Sequence, residues 1–318
     1  MVIVTVTPNA AIDKTLNVAN FQLGQRHRCQ RGESLAGGKG INVARALKRL
    51  GEPVVACGLA GGRNGTLIVE DLMREGILND FVRIADESRM TTVVTDPTIG
   101  RQTEIFEYGP EVEPSELAVL SEKLRYLAAS ATAIVLAGSL PRRVDPDWYA
   151  HTVRDLRRRD VELIVDSEGD PLRQAFAASP DWVAPNQAEA EEMVGHEFST
   201  DADFALALDE IAEMGPRNVL ITRENGVHAL VREGPKTRRF QVDVDPVEPV
   251  STVGSGDALL AGFLASRVRR RPIEECLRQA VGCGTANTRS VGAGRFDPRD
   301  ATRFAALSRV TELTGSAV

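Results

Sequence analysis

Asp257 stands at the head of an apolar helical run, Ala258-Leu259-Leu260-Ala261-Gly262-Phe263, directly after Gly254-Ser255-Gly256. Glycines let a backbone approach a ligand and take conformations closed to other residues. The helix that follows aims unpaired N–H groups and the positive end of its dipole into the same space. An anionic phosphoryl group fits there without a cationic side chain. The Asp257 carboxylate can accept a hydroxyl proton beside it. These are the parts phosphoryl transfer needs: a positioned nucleophile, charge stabilisation and a proton acceptor. A helix N-terminus is expected to depress the pKa of this carboxylate, leaving a weak base that a loose transition state tolerates. Taken alone, the short Gly-x-Gly-Asp is better explained as an ordinary acid in a first helical turn.

A second glycine-rich helix entry is Gly37-Gly38-Lys39-Gly40-Ile41-Asn42-Val43-Ala44. It is neither a Walker A loop nor the dinucleotide fingerprint Gly-x-Gly-x-x-Gly. Lys39 and Asn42 flanking a backbone nest suit a polyhydroxylated or phosphorylated ligand. A tight turn under a helix would explain the glycines but not those two side chains. Asp13 follows the first apolar run, where the carboxyl end of a strand commonly meets ligand in open α/β sheets. It is either a holder of two sugar hydroxyls or a turn-stabilising acid.

The elements that must position these residues alternate. Strands are predicted at Val2–Val6, Val54–Leu59, Ala133–Leu136, Glu162–Val165, Trp182–Ala184 and Asn218–Thr222. Helices are predicted at Ile41–Leu50, Leu67–Glu75, Ser115–Ala128, Asp147–Arg159 and Ala202–Met214, then at Asp257–Arg269, Ile273–Thr288 and Pro298–Leu307. Nearly continuous apolar strands imply a mostly parallel sheet covered on both faces, a three-layer α/β/α sandwich. Two stretches break the rhythm. Thr15–Ser34 is polar without a helical pattern, and Met90–Thr95 with Gln102–Tyr108 reads as two strands joined by Asp96-Pro97-Thr98-Ile99-Gly100. Together they predict a small antiparallel sheet, either decorative or a lid, formed by about 14–35 and 89–109 within one unit spanning 1–318.

Across 318 residues the formal net charge is -7, which argues against a nucleic-acid or anionic-membrane surface. Cys29, Cys57, Cys276 and Cys283 form no metal or disulfide pattern. His27, His151, His196 and His228 lack partners that suggest catalysis. Val2-Ile3-Val4-Thr5-Val6 reads as a strand rather than a signal peptide. No apolar run approaches the ~20 residues of a membrane span, so a cytoplasmic protein is expected.

The pairing of Gly-Gly-Lys-Gly-x-Asn-Val-Ala with Ser251-Thr252-Val253-Gly254-Ser255-Gly256-Asp257 resembles the PfkB, or ribokinase-like, carbohydrate kinases. Thr5-Val6-Thr7-Pro8-Asn9 followed by Asp13 is similar to the hexose-phosphate branch, which holds 1-phosphofructokinases, tagatose-6-phosphate kinases and a minor 6-phosphofructokinase. The likeness continues through Gly138-Ser139-Leu140-Pro141, Asp166-Ser167, Pro185-Asn186-x-x-Glu189 and Gly292-Ala293-Gly294-Arg295-Phe296-Asp297, covering essentially the whole chain.

The resemblance implies ATP and Mg²⁺, a β lid, Asp257 as base and Gly254, Ser255 and Gly256 as anion hole. It assigns Asp13, Gly38, Lys39 and Asn42 to the sugar, and Arg89 to the substrate phosphate with Ser139 nearby. An arginine fork suits a phosphate dianion. Arg28 matches an arginine that crosses from a partner's lid in a homodimer, against the plainer reading of a solvated charge in Arg26-His27-Arg28. Asn186 and Glu189 match a motif that organises nucleotide phosphates and Mg²⁺, the latter through water. Thr222, Arg223, Gly226 and Asn287 fall at the nucleotide site. The implied reaction converts fructose 1-phosphate to fructose 1,6-bisphosphate, with tagatose 6-phosphate and fructose 6-phosphate as alternative acceptors. A catalytically weak sugar-phosphate-binding regulator is the alternative of another class.

Three departures stand out. Ala184 replaces a lysine common in this branch, and Ala10 replaces a proline. Arg223-Glu224-Asn225-Gly226 stands where a glycine-rich nucleotide loop is expected. Arg223 is the candidate to restore the charge missing at Ala184.

Overall fold

The computed structural model describes residues 1–157 and 160–313. Along the chain the strands are β1 (Ile3–Thr7), β2 (Ala11–Asn17), β3 (Arg31–Gly37), β4 (Val54–Gly61), β5 (Leu78–Ile84), β6 (Arg89–Asp96) and β7 (Arg101–Phe106). They continue as β8 (Ala133–Ala137), β9 (Glu162–Asp166), β10 (Trp182–Val183), β11 (Asn218–Arg223), β12 (Gly226–Glu233), β13 (Lys236–Asp243) and β14 (Arg309–Leu313). The helices are α1 (Lys39–Arg49), α2 (Gly62–Arg74), α3 (Pro114–Ala128), α4 (Trp148–Leu156) and α5 (Gly169–Phe176). After them come α6 (Gln187–Val194), α7 (Asp201–Glu213), α8 (Ser255–Val268), α9 (Ile273–Thr288) and α10 (Pro298–Leu307). The helix predicted over Asp147–Arg159 forms as α4; its last two positions, Arg158 and Arg159, lie outside the described residues.

The large sheet has the order β14-β13-β12-β11-β10-β9-β8-β1-β4-β5. From β11 to β5 the pairs are parallel, and β12, β13 and β14 add an antiparallel margin. Side chains alternate across it, as a pleated strand requires. In β8, Ala133, Val135 and Ala137 enter one core, while Ile134 and Leu136 enter the other. The first core packs α1, α2, α8, α9 and α10; the second packs α3 to α7. This is the expected three-layer arrangement. Among the described residues no helix is long and apolar enough to cross a membrane.

β1 lies between β4 and β8, and the chain reaches these neighbours in opposite directions from β1. Such a switch point opens a crevice at the carboxyl ends of the strands. A second sheet, ordered β3-β2-β6-β7, stands at that rim. It is mixed, not antiparallel as expected. Its two hairpins are antiparallel, but β2 and β6 pair in parallel from Ala11↔Arg89 to Asn17↔Thr95. The reason is topological: β2 and β6 follow β1 and β5, which run in the same direction, so both leave the same rim. The Asp96 carboxylate accepts from the Asn20 and Phe21 amides, tying the loop after β2 to the β6–β7 turn.

Candidate active site

Glycine brings α1 down onto the end of β1. A Cβ at Gly40 would lie 2.9 Å from the Val6 carbonyl, and Gly38 has φ +107°. The close seat sets Lys39 and Asn42 above the strand ends. Opposite them, Gly254 caps α8 with φ +76°, and a Cβ there would run into Ala293. The Ser255 amide donates back to Thr252. The Gly256 and Asp257 amides follow in the first turn, where the helix itself supplies no acceptor.

Two cavities flank this point. One, of about 910 Å³, lies under the second sheet and is lined by Asp13, Gly38, Asn42, Arg89 and Ser139 among others. The other, of about 500 Å³, is lined by Asn186, Glu189, Thr222, Gly226, Ser255 and Gly256 among others. Lys39, Gly254 and Asp257 line both.

Asp257 is buried, and Asn42 Nδ2 donates to its Oδ2 at 2.8 Å. Burial is the largest influence on its proton affinity, and the nearby Asp166 adds to it; Lys39 and the Asn42 bond work the other way, and Asp13 raises it slightly. The result is a carboxyl pushed up to about 7. This corrects the expectation of a depressed pKa: removal from water and a like charge outweigh the helix terminus. The correction improves the base, since its pKa falls near neutrality.

Lys39 Nζ donates to Asp166 Oδ1 at 2.9 Å and to Glu189 Oε1 at 3.2 Å. Burial opposes its charge, but Asp166 and Glu189 prevail and its pKa is raised. Glu189 is itself raised, chiefly by burial. Asn186 and Glu189 form a reciprocal capping box at the start of α6: Glu189 N–H donates to Asn186 Oδ1, and Asn186 N–H donates to Glu189 Oε2. Capping thus accounts for both residues, while Oε1 still faces Lys39.

In the larger cavity, Asp13 and Arg89 are diagonal neighbours on the paired strands β2 and β6, where Ala11 is level with Arg89 and Asp13 with Thr91. Burial raises the Asp13 carboxyl against the pull of Arg45 and Arg89. Arg89 lies over Phe106 at 6.0 Å, its Nε directed at the Asn9 carbonyl. Ser139 Oγ accepts from Asn9 Nδ2 at 3.1 Å.

Other residues are placed differently. Arg28 is exposed in the β2–β3 loop, away from both cavities of its own chain. Asn287 is fully buried and lines neither cavity; its Nδ2 donates to the carbonyl of Val253, which lines the larger one, and its Oδ1 accepts from Gly294 N–H. It is a bracket between two loops, because a buried amide must fill both its functions. Arg223 lines the cavity, but its guanidinium pairs with Asp201 and Asp243 and lies over Phe204. Its charge is therefore balanced within the fold and does not stand in for a cation at Ala184. A side chain at Gly226 would collide with the Val242 carbonyl.

Two residues of the site escape a reading of the sequence for roles. Asp166 ends β9 and holds Lys39; an acid closing an apolar strand was the available signal. Arg45, three residues after the buried Asn42, is 3% exposed.

A family model described as pfkB family carbohydrate kinase matches residues 4–300. The chain belongs to the PfkB family of carbohydrate kinases. Within that family it is an ATP-dependent sugar-phosphate kinase. It is 32% identical over 284 residues to a 1-phosphofructokinase of Borreliella burgdorferi, covering 89% of this chain and 91% of the relative. It is 28% identical over 297 residues to a tagatose-6-phosphate kinase of Staphylococcus epidermidis, covering 93% and 94%. Among solved PfkB-like structures, phosphofructokinase-2 from Escherichia coli, crystallised with substrates and products, superposes with a TM-score of 0.88 at 27% identity, covering 96% of this chain and 99% of that one. Arabidopsis thaliana ribokinase shares the fold, with a TM-score of 0.74 at 21% identity, covering 95% and 98%.

Proposed function

We propose that this PfkB kinase transfers the terminal phosphoryl group of ATP to a hydroxyl of fructose 1-phosphate, giving fructose 1,6-bisphosphate, with Asp257 as the base. The observation that carries this reading is the junction itself. Lys39, Gly254 and Asp257 are the points where the two cavities meet, so a donor in one and an acceptor in the other would react across them.

The larger cavity suits the sugar phosphate. Asp13 is an acceptor for sugar hydroxyls, Arg89 offers a guanidinium to the phosphate, and Ser139, Gly38 and Asn42 line the space between. Asp257 takes the proton of the attacking hydroxyl. The Ser255 amide is spent on the Thr252 carbonyl, so of the glycine-rich turn the amides of the N-cap Gly254 and of Gly256 are the ones left to meet the charge that accumulates on the transferring group. Lys39 adds a cation at the same point. The smaller cavity holds ATP against Asn186, Thr222, Arg223 and Gly226, with Asn287 acting from behind the wall by holding Val253 and Gly294 in place. The second sheet would act as a lid that excludes water, a competing acceptor. A homodimer through the lid would bring Arg28 of one copy to the other's phosphate.

Among the described residues no group of three or more His, Cys, Asp or Glu side chains could hold a metal ion by itself. Asp166 and Glu189, both within reach of Lys39 Nζ, fit a hard cation that keeps water and uses few carboxylates. Mg²⁺ would be held there by Glu189 through water and by nucleotide oxygens, and would supply charge neutralisation to the phosphates.

Fructose 1-phosphate is preferred on the relative in Borreliella burgdorferi; tagatose 6-phosphate is the alternative, on the relative in Staphylococcus epidermidis. ADP release measured over fructose 1-phosphate, fructose 6-phosphate and tagatose 6-phosphate separates them. The highest kcat/KM is expected with fructose 1-phosphate. A higher value with either 6-phosphate overturns the assignment of acceptor, and no turnover with any leaves a binding protein.

A further inference from the structure

We propose that Arg45 is a positioning residue for the phosphoryl transfer, one that fixes the orientation of the Asn42 amide and so the hydrogen bond that Asn42 donates to Asp257. The proposal rests on the assignment of Asp257 as base.

An asparagine amide has a donor end and an acceptor end, and either can turn toward a neighbour. At Asn42 the choice matters. With Nδ2 toward Asp257 the side chain stabilises a carboxylate; with Oδ1 toward it, only a protonated acid is tolerated. Arg45 settles the choice, because Nη1 donates to Asn42 Oδ1 at 3.2 Å. A guanidinium only donates and stays charged at any working pH, so it can hold only the oxygen end. The amide's Nδ2 is then left for Asp257 Oδ2 at 2.8 Å.

The guanidinium is itself held from three sides. Nη1 also donates to the Ala293 carbonyl at 3.3 Å, Nη2 to the Ala36 carbonyl at 2.7 Å, and Nε to Glu75 Oε2 at 2.6 Å. These acceptors, with Asn42, engage four of the five N–H donors of an arginine. Arg45 is therefore not a free receptor for substrate phosphate, although it lines the larger cavity. Glu75 is in turn fixed by Arg295 Nη2 at 3.3 Å, and Arg295 Nη1 donates to Glu33 of β3 at 2.7 Å. Ala36 also belongs to β3. The residue that orients Asn42 thus also grips the root of the second sheet.

Lysine cannot reproduce the fork, because its donors radiate from one nitrogen. The test is the acid limb of the kcat/KM–pH profile for Arg45→Lys, with Asp257→Asn measured alongside. Asp257 also faces Lys39, Asp166 and Asp13; Arg45 acts on Asp13, and Arg45→Lys keeps that positive charge. Freed, the Asn42 amide loses its bias, and the limb is expected to move upward by about one pH unit, so that kcat/KM falls up to roughly tenfold on the acid side and stays near its original value on the plateau. Glu75→Gln, at a half-buried site where the fold does not depend on Arg45→Lys surviving, should move the limb the same way by a smaller amount. In an Asn42→Ala background, Arg45→Lys should add no further shift. A limb at its original pH in Arg45→Lys, or in Glu75→Gln alone if the first variant does not fold, overturns the proposal. If Asp257→Asn instead keeps full turnover, the base assignment is what fails.

Discussion

The hydrogen bond from Asn42 Nδ2 to Asp257 Oδ2, 2.8 Å long, joins residues 215 positions apart and ties the first turns of α1 and α8 together. It favours the ionised carboxylate, whereas burial and Asp166 favour the protonated one. The balance near neutrality is what a general base needs, and it arises only when both helix entries are folded against the same strand ends.

That balance predicts a pH profile. Asp257 must be ionised to accept a proton, and its carboxyl is raised from 3.8 to about 7. The kcat/KM should therefore fall as pH drops through about 7, not through the ordinary carboxylate range. An acid limb near 4 would contradict the burial argument. Stability carries the opposite sign. Between pH 3.8 and about 7 the folded state holds a proton that the unfolded chain has released, so stability from this group is lost as pH rises through that window. Asp257→Asn should accordingly raise Tm at pH 8 and change it little at pH 4, as thermal melts at the two pH values can show.

Arg89→Ala should raise KM for the sugar phosphate roughly 10- to 100-fold, the value of a charged hydrogen-bonded contact. Its effect on turnover of an unphosphorylated hexose should be small. Equal losses with both acceptors would mean that Arg89 shapes the cavity and does not meet a phosphate.

The strand run of β8 was legible because residues buried on both faces leave an unbroken apolar signal. The margin β12–β14 was not, since Lys236, Arg238 and Arg239 load β13 with charge that reads as surface. Asn42 and Asp257 could be named from their glycine-rich settings, and Asp13 from its place just after the first apolar strand. Asp166 could not be given a role, because its meaning depends on Lys39 arriving from another helix at 2.9 Å. Arg45 was hidden for a similar reason: a cation inside a helix looks solvated until its four acceptors are in place. The raised pKa of Asp257 was misread because local helix chemistry is visible in sequence, and desolvation is not.

Lys39→Met should lower kcat by roughly 10²- to 10³-fold, the scale of losing one preorganised group at the transferring phosphoryl. It should also move the acid limb upward, since Lys39 lowers the Asp257 pKa. A variant with reduced nucleotide affinity, unchanged kcat and an unmoved limb would place Lys39 in the nucleotide cavity alone.

The most direct measurement is ADP formation by Asp257→Asn at saturating ATP and sugar phosphate, with sugar-phosphate affinity determined separately by calorimetry. The account predicts turnover lower by roughly 10²- to 10⁴-fold with affinity nearly unchanged, because the substitution keeps the shape and the Asn42 contact but removes the proton acceptor. Turnover within a few-fold of the original chain, or an equal loss in binding and turnover, would contradict it.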